Sequence, residues 1–145
     1  MSDKIPVVID LVTEVNNESG KETTNNQVNG TILTKENATY IRYKEEIEDT
    51  GSVRNVIKIN EEEVTIIRNG AVGMRQSFLE GQTTEGFYDT QFGSMNMETF
   101  TRRVDYEWTT REGIGNMKLA YQLKLQGNDL GRVTLTFAIR EDDGQ

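Results

Sequence analysis

The chain has 145 residues, a one-domain length able to bury a core without cross-links, and it contains no cysteine and no histidine. That excludes a disulfide framework, a thiolate or imidazole metal site, a thiol nucleophile and the commonest general base, and no cofactor is implied. Its 24 acidic and 16 basic residues leave a formal charge of −8, and an acidic surface repels phosphate backbones, which argues against nucleic acid as a partner.

The opening Met1-Ser2-Asp3-Lys4-Ile5-Pro6 has no apolar signal core, and no apolar run reaches membrane-spanning length. A cytoplasmic protein without a membrane partner is expected. Strands are predicted near 5–15, 25–35, 38–48, 52–59, 62–68, 71–79, 84–92 and 96–108, where β-branched and aromatic residues alternate with polar ones. The clearest strand covers 116–126, with Met117, Leu119, Tyr121, Leu123 and Leu125 on one face. After a turn at Gly127-Asn128-Asp129, Val133, Leu135, Phe137 and Ile139 repeat the pattern.

Turn signals separate these segments, among them Ser19-Gly20, Asp49-Thr50-Gly51, Asn69-Gly70, Glu80-Gly81 and Gly93-Ser94. At Asn69-Gly70 the apolar pattern favours a three-residue loop, Arg68-Asn69-Gly70. It pairs Ile66 with Val72 and Val64 with Met74, with Gly70 left-handed in a bulge. No segment has helical periodicity. Successive strands with one apolar face must close or stack, and closure removes exposed edges. The expected fold is an all-β, antiparallel, up-and-down barrel of about eight to ten strands, one domain over 1–145 with an ordered core of about 5–140.

The segment from Val64 to Phe78 (VTIIRNGAVGMRQSF), the stretch Gly86-Phe87-Tyr88-Asp89-Thr90 and the strand Thr99-Phe100-Thr101 resemble the YwiB-like family. Tyr40-Ile41-Arg42-Tyr43-Lys44-Glu45 and Leu119-Ala120-Tyr121-Gln122-Leu123 fit it as well. The resemblance spans about 5–140 and rests on turn and core residues. It implies a calycin, lipocalin-like barrel in a bacterial cytoplasm, and it brings no activity, ligand or partner with it.

Chemistry is sparse. Gly113-Ile114-Gly115 lacks the following helix and third glycine of a phosphate cradle and reads as a turn. The acidic runs Glu45–Asp49, Glu61–Glu63 and Glu141–Asp143 lack the spacing of a calcium loop and read as solvated turns and tail. Met95 and Met97 read as gap-fillers. More informative are charges on otherwise apolar faces: Glu45 among Ile41, Tyr43 and Ile47, and Arg102 between Phe100 and Val104. An inward Arg102 would anchor an anionic ligand in a cavity lined by Tyr43, Tyr88 and Tyr121. Alternatively it pairs with Glu45 inside a filled core, or a bulge near Thr101 turns it to solvent. Two functions remain open. One is a barrel holding a small anionic or amphiphilic ligand; the other is a filled interaction module, with a second copy of the chain as one candidate partner. No residue set supports an enzyme.

Overall fold

Every alternating segment is a strand in the computed structural model, which describes residues 4–61 and 63–142. Met1-Ser2-Asp3, Glu62 of the Glu61–Glu63 run and Asp143 of the tail run lie outside the described residues. The strands are β1 (Ile5–Asn17), β2 (Gly20–Lys35), β3 (Ala38–Ile47), β4 (Gly51–Ile59) and β5 (Glu63–Gly70). They continue as β6 (Gly73–Leu79), β7 (Thr83–Thr90), β8 (Gly93–Thr109), β9 (Ile114–Leu125) and β10 (Asn128–Glu141). Each pairs antiparallel with its neighbours in sequence, and β10 pairs with β1. The barrel is therefore closed and up-and-down, as the turn spacing led one to expect. Among the described residues no helix is long and apolar enough to cross a membrane.

Period-two alternation decides what lies inside. Val7 and Ile9, Ile41 and Tyr43, Ile57 and Ile59, and Val64 and Ile66 all point inward and are buried. Leu119, Tyr121 and Phe137 are buried together across the last hairpin, with Leu123 and Leu135 half-buried against them. Phe78 and Tyr121 pack as a tilted pair with ring centroids 4.8 Å apart, and Tyr43 meets Phe137 edge-on at 6.4 Å. Met97 lies in this core, so its role is packing.

Two turns differ from expectation. Ile66 pairs with Gln76 and Val64 with Phe78, not with Val72 and Met74. The β6 partner lies four positions further along, so face parity survives while the three-residue loop does not. The cause is β4: β5 stays paired to it as far as Gly70 opposite Val53, and Ala71 N–H donates to the Ser52 carbonyl at 2.9 Å. Gly70 does have positive φ, 139°, but for this approach to β4. In the last hairpin the turn is Gln126-Gly127, both with positive φ, and a bulge between Asp129 and Gly131 restores the register.

One seam is held by side chains. β6 and β7 pair only from Gly73–Asp89 to Arg75–Phe87. Beyond it, Gln76 Nε2 donates to Thr99 Oγ1 at 2.9 Å and reaches the carbonyl of Ser77 at 3.1 Å. Thr84 Oγ1 also donates to the Ser77 carbonyl, at 2.5 Å. These bonds satisfy a carbonyl that a continuing ladder would have used. Gly86 makes room, because a Cβ there would lie 2.3 Å from Gln76 Oε1.

Candidate functional site

The same alternation that builds the core brings charge inside at one end of the barrel. On β3, Ile41, Tyr43, Glu45 and Ile47 share the inner face, so Glu45 points inward. Registers across β3, β4 and β5 then align Tyr43 with Asn55 and Asn55 with Arg68. Arg68 faces Met74, which faces Tyr88. The polar residues thus form a row across adjacent strands, near the end that carries the turns at 48–50 and 71–72.

The row is bonded. Arg68 lies 3.3 Å from Glu45 Oε1 through a terminal guanidinium nitrogen, and its Nε donates to Asn55 Oδ1 at 3.1 Å. Asn55 Nδ2 donates to the same Glu45 oxygen at 2.8 Å. Both charged side chains retain 20% exposure, whereas Asn55 retains 2%. The pair sits between the core and solvent, with guanidinium N–H groups still free to donate. Tyr43 lies close enough to feel both charges. Burial raises its phenol pKa most, Glu45 raises it further, and Arg68 opposes them. Burial likewise raises Tyr121, again with Arg68 opposing.

The β2–β3 ladder ends beside this row. β2 and β3 pair from Lys35–Ala38 only as far as Gly30–Tyr43. β2 nevertheless runs back to Gly20, paired over that length with β1. The β2–β3 pairing therefore stops before Glu45, and the Gly20–Gln27 stretch of β2 is exposed. Gly30 permits the last close contact before the ladder ends, since a Cβ there would sit 2.3 Å from the Arg42 carbonyl oxygen. Val28, Leu11 and Val15, on β1 and β2, pack against the core.

Of the residues singled out from sequence, Tyr43, Glu45, Tyr88 and Tyr121 belong to this interior. Arg102 does not. A register shift between Thr101 and Arg103 makes Arg102 the extra residue of a bulge, and it is exposed. Before the bulge Met97, Thr99 and Thr101 face inward; after it Val104, Tyr106 and Trp108 do. Phe100 accordingly faces out, 43% exposed. Of the readings left open for Arg102, the bulge is correct, and the partner of Glu45 is Arg68. Sequence reasoning had assigned Arg68 to a turn. Asn55 was overlooked, although it interrupts the apolar face of Val53, Ile57 and Ile59 as plainly as Glu45 interrupts its own.

A closed, ten-stranded, all-antiparallel barrel with a half-buried polar set at one end defines the class of this protein. Residues 9–137 match the family described as a domain of unknown function, DUF1934, and the chain belongs to that family. It is 27% identical over 139 residues to the uncharacterized beta-barrel protein YwiB of Bacillus subtilis (strain 168), covering 94% of this chain and 96% of that one. The crystal structure of ywiB protein from Bacillus subtilis superposes with a TM-score of 0.86 at 25% identity, over 96% of this chain and 93% of the other. The YwiB-like resemblance read from the turn and core residues is therefore correct.

Proposed function

We propose that this chain is a binding module of calycin type that takes a small anionic or amphiphilic ligand at the Arg68 end of the barrel. The observation that carries the reading is the half-buried Glu45–Arg68–Asn55 set placed where the β2–β3 ladder ends. An anionic head group entering there competes with Glu45 for the guanidinium, while Glu45 keeps its bond from Asn55. The apolar part of the ligand lies against Leu11, Val15 and Val28, with Tyr43, Tyr88 and Tyr121 on the inner wall.

The reading includes a bacterial cytoplasmic location. Its support is the distribution of polarity, apolar inside and charged outside, opposite to that of a barrel embedded in lipid. The test is native mass spectrometry of protein purified from its own host. A retained small molecule is expected in the wild type and absent from Arg68→Leu. A wild-type protein that carries nothing, and binds no fatty acid or carboxylate on titration, leaves the filled interaction module as the better account.

A further inference from the structure

The bulge in β8 sets two consecutive arginines, Arg102 and Arg103, on the outer wall, both exposed. Arg103 lies opposite Ala120 of β9, and Ala120 lies opposite Thr134 of β10. Ala120 is a low floor between longer neighbours, and Arg132 stands on β10 one outward position before Thr134. The result is an outer cleft of about 410 Å³ lined by Glu14, Arg102, Arg103, Ala120, Arg132 and Thr134.

The carboxylates at its rim are already engaged. Glu14 Oε1 is 3.0 Å from Lys21 Nζ, and Asp105 pairs with Arg103. Arg102 and Arg132 have no ion pair or side-chain hydrogen bond among the described residues. Arg103 is already compensated by Asp105, but Arg102 and Arg132 line the same cleft as unpaired like charges that repel one another. An anion between them reverses that cost. Adjacent strands are spaced about 4.8 Å, so β8 and β10 stand roughly 10 Å apart, a span that arginine side chains close from both sides.

We propose that this cleft binds a compact oxyanion of the phosphate class, separately from the interior site. Guanidinium forks match the paired oxygens of a phosphate group. The acidity of the surrounding surface disfavours an extended polyanion, which would have to cross it.

The test is a proton–nitrogen correlation titration with inorganic phosphate and with glycerol phosphate, at constant ionic strength. Saturable shifts are expected at the amides of Arg103, Ala120, Arg132 and Thr134. Arg102→Ala and Arg132→Ala should each weaken binding about tenfold or more, while Arg68→Leu and Arg140→Ala leave it unchanged. Dependence on Arg68 but not on Arg132 would assign the phosphate to the interior and overturn the proposal. So would shifts absent up to about 20 mM phosphate, or tighter saturation of the same amides by a single-stranded oligonucleotide. Arg132→Gln replaces Arg132→Ala if the latter lowers thermal stability.

Discussion

At Gly70 a Cβ would sit 2.2 Å from the Ser52 carbonyl oxygen, on a backbone with φ of 139°. Gly70→Val should therefore cost roughly 1–3 kcal/mol through backbone strain, and more if β4 cannot yield; an unchanged urea midpoint would show that β5 and β4 separate freely there. The Arg68–Glu45 pair behaves differently, because removing one member strands the other. Both side chains keep 20% exposure, so water softens the loss. Arg68→Leu is expected to cost about 1–3 kcal/mol, below the range for fully buried pairs. Glu45→Gln should cost less, since Asn55 and Arg68 can still bond to an amide oxygen. In a double-mutant cycle the two losses should fall short of adding; strict additivity would mean the ion pair is not coupled.

Among the elements, the last hairpin and the β6–β7 seam call for opposite kinds of support. Phe137 is 1% exposed and sits in the apolar core against Tyr43. Phe137→Ala should cost roughly 3–5 kcal/mol through lost burial and the cavity left behind, and a loss below about 1 kcal/mol in urea unfolding would place that face in solvent. The seam depends on Gln76, which donates across the gap that the ladder leaves. Gln76→Ala should cost about 1–3 kcal/mol by removing the amide bonds to Thr99 and to the Thr84 and Ser77 carbonyls. It should also speed amide hydrogen exchange in β6 and β7 before the rest of the barrel. Uniform exchange across all strands would show that the seam opens only with global unfolding.

For the whole molecule, the buried phenols predict an alkaline limit. Tyr43 and Tyr121 have folded-state pKa values raised above the ordinary 10.0, chiefly by burial. A raised pKa contributes stability that is fully present below the unfolded value and is lost as pH climbs from there towards the folded value. Stability should hold to near pH 10.0 and decline above it, as the unfolded chain releases these protons first. Tyr43→Phe should make that decline shallower in urea titrations at increasing pH. Identical slopes in the two proteins would mean that Tyr43 ionises as easily folded as unfolded.

The strands, their apolar faces and the place of Glu45 on the face of Ile41 and Tyr43 are legible in the sequence because strand alternation is local: each side chain's direction follows from its neighbours two positions away. The last hairpin could be read as a packed face on the same ground, whereas the positive φ of Gly70 was expected for a bulged loop that does not form and arises from the approach to β4. What alternation alone does not determine is which residue of the next strand stands opposite. The β5–β6 register was settled by β4, which holds β5 through Gly70, and this moved Arg68 from an expected turn onto the inner wall beside Glu45 and Asn55. The Thr101–Arg103 bulge likewise sent Arg102 outward, because one unpaired residue inverts the parity of everything after it. The exposed half of β2, rich in asparagine and threonine, showed no apolar face and became strand only because β1 supplied the ladder. Local chemistry therefore determined the barrel and its lining, whereas pairing between strands decided where the charges meet and where the β2–β3 ladder ends.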